Sequence, residues 1–396
     1  MVIRTTYRIR LTELIFLAVY VLFAAATIID ASLITLGPIK SLINYGSVGI
    51  LAVTFISRTY SLKQLRFYVL FGVFVLAAYT TNRTFLMVYM LLLLNARYSS
   101  FRKIAVCSLI STTLSILFVV LCCKAGLITD LVYSRDGVET AHSYGFGHYS
   151  SISYFALYLT LIWLYLRRRT IGWIELGALV VFNYGIYYLT TTRLSFYLAL
   201  FVIAAYIVIV KYRWIRISSK PILFLSSIGF PVAFLCCILL HYFYDPKNAL
   251  LEKLNEMLNS RLLMGKTAFE QYHLKLFGQT IEMVGIKSAT FGEGHQVYFY
   301  IDSGYVYSLI GYGIVFTLLI LTLYTMILRN TAKKEQGVLF IWGLTVMLFS
   351  ISNNAWISIT YNPLLFYVIT PEASNALTRL LDRLRRKKKL FKLQLK

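Results

Sequence analysis

The chain has 396 residues, of which 59% are hydrophobic and only 14% are charged, and its mean hydropathy is +0.70. A soluble domain of this composition would lack the polar residues needed to cover its surface, so the lipid bilayer is the expected solvent. The formal net charge of +23 would indicate nucleic-acid binding only if the basic residues formed one continuous face. They occur instead in short clusters between apolar runs, which excludes a nucleic-acid-binding protein.

Apolar runs recur along the whole chain. A hydrocarbon core of about 30 Å needs about 20 apolar residues per helix. Single runs of that length lie near 12–29, 38–57, 104–124, 149–166, 172–189, 194–210, 221–242 and 303–328. Two longer runs, 67–96 and 337–370, are interrupted by Asn82-Arg83 and Asn353-Asn354, and each is predicted to enter the membrane and return to the side it left. The pattern predicts an all-α, polytopic bundle of about twelve transmembrane helices, forming one domain over residues 1–396.

Lysine and arginine accumulate in alternate loops, and this bias sets the orientation of a membrane protein. The basic clusters lie at 4–10, 58–66, 97–103, 167–169, 211–220 and 329–334. That side is expected to be cytoplasmic, with both termini on it. The tail, 376–396, combines a leucine stripe with a run of arginines and lysines. It is interpreted either as an in-plane anchor on anionic lipid or as a segment that only enforces topology.

The remaining polar residues gather on the opposite, external side. They lie in a first loop, 125–148, in the turn 190–193, and in a large loop, 243–302. A loop as long as the third is far beyond the usual connection and indicates function or disorder. Chemistry is therefore expected on the external side.

The large loop contains an apolar pattern at helical spacing. Leu250, Leu251, Leu254, Met257, Leu258 and Leu262 fall on one face of a predicted amphipathic helix. Arg261 falls on the same face, where an unpaired guanidinium would be costly. Either it snorkels or pairs with a nearby carboxylate, or it binds an anion at the membrane boundary.

A second external arginine, Arg193, lies in T-T-T-R-L-S, residues 190–195, where one helix emerges and the next begins. An arginine at such a junction is often an interfacial anchor. Two external arginines at helix ends also suit a diphosphate group, because a planar guanidinium binds two oxygens at once and keeps its charge.

Two motifs contain candidate acid and base groups. The first loop reads S-R-D-G-V-E-T-A-H-S-Y-G-F-G-H-Y over 134–149, and its composition favours structural roles for His142 and His148 over catalytic ones. The large loop ends in F-G-E-G-H-Q, residues 291–296, and I-D-S-G-Y, residues 301–305, so that Glu293, His295 and Asp302 are candidates for proton transfer. Glu293 and His295 could instead ligate a metal, but their spacing is weak and no third ligand is apparent. No nucleotide-binding motif is present, so the donor is not expected to be a nucleotide handled in the cytoplasm. No metal site and no cofactor are predicted.

These features together resemble the Wzy-type polymerases of bacterial capsule, exopolysaccharide and O-antigen repeat units. The resemblance covers most of the chain and rests on the helix count and on the order of the external motifs. The motifs are H-S-Y-G-F-G-H at 142–148, T-T-T-R at 190–193, S-R-L-L-M-G-K at 260–266, F-G-E-G-H at 291–295, I-D-S-G-Y at 301–305 and G-Y-G at 311–313. One departure is Tyr149-Ser150 after His148, where relatives often have Pro-Asn.

The resemblance implies a GT-C-like, multi-pass enzyme of the bacterial cytoplasmic membrane. It would transfer a growing glycan from its polyprenyl diphosphate carrier to a sugar hydroxyl of the next lipid-linked repeat unit, without a cofactor. A flippase and a chain-length regulator of the same pathway are implied as partners. The implied roles are diphosphate binding by Arg193, Arg261 and Arg135, proton acceptance by Asp302 or His295 and less favourably His148, and substrate contact by His142, Lys266 and Tyr305.

Two other functions fit the same pattern. A ligase of this architecture would move finished glycan to a different acceptor, and the sequence does not separate it from a polymerase. A flippase also fits twelve helices, but the chain lacks related halves and has few ionisable residues deep in its apolar runs.

Overall fold

A computed structural model describes residues 11–57, 68, 71–135, 139–285, 298–354 and 356–370. The helices within this part of the chain are α1 Leu11–Asp30, α2 Pro38–Ile56, α3 Gly72–Thr81, α4 Phe85–Asn95, α5 Phe101–Lys124, α6 Ser150–Arg167, α7 Trp173–Thr190, α8 Arg193–Ala205, α9 Lys220–Tyr242, α10 Ala249–Met257, α11 Arg261–Gln271, α12 Gly304–Tyr307, α13 Ile314–Lys333 and α14 Gly337–Phe349. A π-helical turn, Tyr206–Lys211, extends α8, and a second, Ser308–Tyr312, extends α12. Short 3-10 helices span Ala96–Tyr98 and Pro363–Val368, and an antiparallel hairpin pairs β1 Val132–Arg135 with β2 Glu139–His142.

The fold is that of an all-α membrane protein. Six of the described helices are long and apolar enough to cross a bilayer: α1, α2, α5, α8 with its π-helical turn, α9 and α13. The apolar runs predicted from the sequence coincide with helices from α1 to α9. The basic tail, 376–396, and the basic clusters 4–10 and 58–66 lie outside the described residues.

Contacts between helix termini define two ends of the bundle. At one, Lys103 Nζ lies 2.8 Å from Glu13 Oε1, joining the starts of α5 and α1. The same end joins α6 to α7 through Arg167 Nε and Glu175 Oε2 at 3.2 Å. This basic end carries the loops rich in lysine and arginine.

The opposite end collects the segments predicted to be external. Two backbone hydrogen bonds join the segment after α1 to the first loop. Leu33 N donates to Gly145 O at 2.8 Å, and Gly147 N donates to Ala31 O at 3.0 Å. The hydroxyls of Ser153 and Thr190 lie 2.7 Å apart, which places the start of α6 beside the end of α7. We call this the site end.

The predicted span 303–328 is wrong in one respect, because the chain breaks at Gly313. Its φ of 90° ends the helical path, and a Cβ there would lie 2.3 Å from Gly278 N. The large loop docks at this break: the N–H groups of Ile314 and Val315 donate to Lys275 O and Leu276 O, each at 3.1 Å. The loop thereby satisfies two backbone donors that the first turn of a helix leaves free.

The run 337–370 contains one apolar helix, and its return path is mostly irregular. Trp342 Nε1 on α14 donates to Asn362 Oδ1 at 3.0 Å, and Tyr367 donates to the side chain of Gln336, just before α14. The chain therefore runs back along α14 from its end to its beginning. The returning segment is buried, so protein groups rather than lipid must satisfy its backbone.

Candidate functional site

Polar side chains from widely separated segments meet at the site end of the bundle. They come from the loop before α6, the start of α11, the extended segment 298–302 before α12, and the turn after α14. A fifth contribution comes from the tip between α3 and α4. Each segment lies at the end of a packed helix, so the helices fix their relative positions.

The centre of this group is an ion pair between two predicted site residues. Arg261 Nε donates to Asp302 Oδ2 at 3.0 Å, and the two side chains are 26% and 32% exposed. Of the two interpretations of Arg261, the pairing with a nearby carboxylate is the one that this structure contains. The contact uses one of the five N–H donors of the guanidinium.

Arg261 reaches this position because the predicted amphipathic helix is broken. Asn259 and Ser260 have φ of 52° and 60°, so α10 ends and α11 begins at Arg261. The buried side chain of Asn255 accepts a bond from Leu263 N at 3.1 Å and holds the first turn of α11. The predicted helix is therefore divided into two shorter ones, and Leu250 and Met257 on the apolar face of the first are 75% and 74% exposed.

His148 lies beside the Arg261–Asp302 pair in an uncharged state. Its Nδ1 accepts a bond from Ser150 N at 3.1 Å, so hydrogen bonding assigns the ring proton to Nε2. Burial lowers the pKa of His148 to about 4, although the Asp302 carboxylate raises it, and Arg261 lowers it further. At neutral pH the imidazole is therefore a hydrogen-bond donor at Nε2 rather than a base.

Tyrosines flank the same ion pair. Burial raises the pKa of Tyr298 and of Tyr300, and the Asp302 carboxylate raises both further. Asn354 Nδ2 donates to the Tyr300 hydroxyl at 3.0 Å and to Ile301 O at 3.3 Å. Both phenols thus stay protonated near neutral pH and can donate to a ligand oxygen.

Sequence reasoning missed Arg83. Its guanidinium lies over the rings of Tyr307 and Tyr312, at 5.3 and 5.9 Å from the centroids, and Nη1 is 3.5 Å from the Tyr312 hydroxyl. None of the carboxylates in the described parts of the chain pairs with it. The available signal was an arginine interrupting an apolar run, which favours a functional site but was interpreted only as a hairpin tip.

The three residues predicted to contact substrate have hydrogen-bond or ion-pair partners within the protein. His142 Nδ1 lies 2.7 Å from Asp130 Oδ2, and Asp130 also accepts from Tyr144 N at 2.7 Å, so the pair shapes the first loop. Lys266 Nζ donates to Tyr242 O at 3.1 Å, at the end of α9. Tyr305 is fully buried.

Tyr305, predicted to contact substrate, lies in the core of the bundle. Its hydroxyl donates to Met347 O at 2.9 Å, and its ring packs on Phe234 and Trp356 with centroids 5.8 and 5.2 Å away. The helical turn that begins at Gly304 directs this side chain into the core.

The remaining predicted residues lie at the site end or outside the described part. Arg193 is the exposed first residue of α8, three residues after Thr190. Arg135 ends β1, but its side chain is outside the described set, as are Glu293 and His295. Within the described stretches, no cluster of three or more histidine, cysteine, aspartate or glutamate side chains could hold a metal ion.

Comparison of this chain with protein-family models, with curated proteins and with solved structures found no match.

Proposed function

We propose that this membrane protein is a glycosyltransferase that polymerises polyprenyl-diphosphate-linked oligosaccharide repeat units. The observation that supports the proposal most strongly is the meeting of Arg261, Asp302 and His148 at one end of the bundle. These residues come from distant parts of the chain and provide a cation, a carboxylate and a neutral donor. Such a set suits transfer of a glycan away from an anionic leaving group.

In the proposed reaction, a hydroxyl oxygen of the acceptor sugar attacks the anomeric carbon of the growing glycan. A new C–O bond forms, the bond between that carbon and the diphosphate oxygen breaks, and the electron pair leaves with the diphosphate. Asp302 takes the hydroxyl proton. Arg261 and Arg83 stabilise the charge that develops on the diphosphate.

The ion pair supplies a way to couple binding to catalysis. Asp302 neutralises Arg261 and is itself held by the guanidinium. A diphosphate competes for that guanidinium with a larger charge, so its binding releases the carboxylate to accept a proton. His148 donates from Nε2 to a ligand oxygen in this arrangement.

Reconstitution tests the proposal directly. Purified protein in liposomes is incubated with a defined lipid-linked repeat unit, without added nucleotide or metal, and lipid-linked products are separated by length. We expect dimers and higher oligomers from the wild type. Arg261→Ala and Asp302→Asn should each lower the rate about 100-fold, the usual effect of removing one group that stabilises transition-state charge. Arg261→Lys should retain part of the rate, because it keeps the charge but loses the planar fork.

Arg167→Ala is the matched control, since Arg167 and Glu175 form a similar ion pair at the basic end. It should leave the rate within about threefold of wild type, as expected for an exposed ion pair. Wild-type rates in Arg261→Ala or Asp302→Asn would overturn the proposed site. Movement of the unit to a different acceptor, or only across the bilayer, would indicate the ligase or the flippase.

A further inference from the structure

A long apolar groove lies between α5, α6 and α7. It encloses about 890 Å³ and is lined by the α5 side chains from Leu109 to Val120, by α6 from Ile152 to Trp163, and by α7 from Leu179 to Thr190. These residues lie within or beside helices that the composition assigns to the membrane. An apolar groove at this depth fits a hydrocarbon chain and no polar ligand.

The groove is open to the lipid-facing side of the bundle and has a charged mouth. Leu114, Leu117 and Phe182 in its wall are 61%, 52% and 42% exposed. Lys124 is the one charged residue among the described groove residues, and it ends α5 at the site end. Its Nζ lies 5.2 Å from the centroid of Tyr144, which also lines the groove.

The length of the groove indicates which lipid fits. From Ile110 to Lys124 along α5, the wall extends about 21 Å at 1.5 Å per residue. Half of the hydrocarbon core of a bilayer is only about 15 Å thick. The wall therefore continues past the midplane, along a path that a long isoprenoid chain can follow.

The mouth of the groove also adjoins the candidate site. Ile152, on the first turn of α6, lines the groove and follows His148 by four residues. Thr190 lines the opposite wall, and α8 begins with Arg193 three residues later. The mouth of the groove therefore adjoins the two segments that carry His148 and Arg193.

We infer that this groove binds the polyprenyl chain of an anionic isoprenoid lipid and that Lys124 contacts its phosphate. The identification of the lipid as the diphosphate carrier rests on the proposed function. The hydrocarbon chain would fix the position of the lipid before its diphosphate reaches Arg261 and the sugar hydroxyl reaches Asp302.

Photolabelling tests this inference. The full chain, in nanodiscs of neutral phosphatidylcholine, is irradiated with a sugar-free polyprenyl diphosphate that carries a diazirine in its chain, and labelled peptides are mapped by mass spectrometry. We expect labelling on groove residues such as Leu114 and Phe182. Lys124→Glu should reduce this labelling at least tenfold, whereas Lys124→Arg should retain it.

Two tryptophan variants of α5 provide the matched comparison. Thr113→Trp fills the groove and should abolish the labelling, whereas Leu121→Trp, at a lipid-facing position that is 66% exposed and outside the groove, should not change it. Melting temperatures confirm that both variants fold. Labelling spread evenly over the lipid-facing surface, or insensitive to Thr113→Trp, would overturn the inference. Equal labelling of the groove by a diazirine phosphatidylglycerol, with mutual competition, would assign it to ordinary phospholipid and also overturn it.

The groove and the proposed function can fail separately. The photolabelling uses neither sugar nor turnover, so a wild-type protein that binds the lipid but never elongates a repeat unit would refute only the polymerase. Elongation without groove labelling would refute only the lipid site.

Discussion

Asp302 and Arg261 hold each other through a contact that contributes little to folding. Both side chains are partly exposed, and ion pairs of this kind contribute about 0.2–1 kcal/mol to stability. The proposed loss of rate on mutation, about 100-fold, corresponds to about 2.7 kcal/mol of transition-state stabilisation. A measured melting temperature therefore separates a catalytic effect at this pair from unfolding.

Burial lowers the pKa of His148 to about 4, and this shift predicts how the rate of the proposed reaction depends on pH. The folded pKa is below the unfolded value of about 6.5, so the unfolded chain binds the proton more tightly. The stability that the neutral ring contributes is present above pH 6.5 and is lost as pH falls toward 4. We expect the wild-type rate, measured between pH 5 and 7, to show no acid limb from this histidine.

Substitutions at His148 distinguish a donor from a base. His148→Gln places an amide donor near the position of Nε2, so its elongation rate should stay within about tenfold of the wild-type rate. The rate of His148→Ala, which has no donor, should fall about 100-fold. An acid limb centred between pH 6 and 7 that disappears in His148→Gln would show instead that the ring acts as a base.

Tyr305 provides a test of a residue placed in the core. Tyr305→Phe keeps the ring contacts with Phe234 and Trp356 and removes the hydroxyl that donates to Met347 O. The free energy of unfolding should fall by about 1 kcal/mol, with the elongation rate unchanged, as measured by thermal unfolding in detergent and by reconstitution. A higher KM for the lipid-linked unit with an unchanged melting temperature would restore the predicted substrate contact.

At the scale of the elements, long apolar runs predicted the helices α1 to α9 because burial in lipid requires an uninterrupted hydrogen-bonded helix. The breaks at Gly313 and at Asn259-Ser260 were not predictable from periodicity. Gly313 is held by contact with Gly278, which is distant in the sequence. Ser260 adopts a left-handed conformation that its residue type does not favour.

The break before α11 predicts opposite effects for two changes at one position. Ser260→Gly relieves the positive φ and should leave the elongation rate unchanged and the melting temperature equal or higher, since the strain is about 1 kcal/mol. Ser260→Val places a β-branched side chain at φ 60° and should lower both, because Arg261 is the next residue. Thr267→Val, within α11, is the control for a β-branched residue in regular helix. A Ser260→Val variant with wild-type rate and melting temperature would show that the break does not position Arg261.

At the scale of the whole molecule, the sequence identified single charged residues but not their neighbours. Arg261 and Asp302 were both candidates, yet their pairing depends on how α11 packs beside the segment before α12. Arg83 was missed because its aromatic partners, Tyr307 and Tyr312, belong to a distant segment. Tyr305 was assigned to the site through the I-D-S-G-Y motif, and the sequence did not show that its side chain is buried and donates to Met347 O.

The orientation of the whole bundle in the membrane can be tested by labelling single cysteines from either side. The basic loops and the candidate site lie at opposite ends, so the positive-inside rule predicts that Arg261 and Asp302 lie outside the cytoplasm. In a background with the five native cysteines replaced, Lys247→Cys, in the exposed stretch after α9, should react with a membrane-impermeant maleimide on intact cells. Arg216→Cys, at a position 82% exposed at the basic end, should react only after permeabilisation. The reverse pattern would place the ion pair in the cytoplasm, where a carrier lipid presented on the outer face cannot reach it.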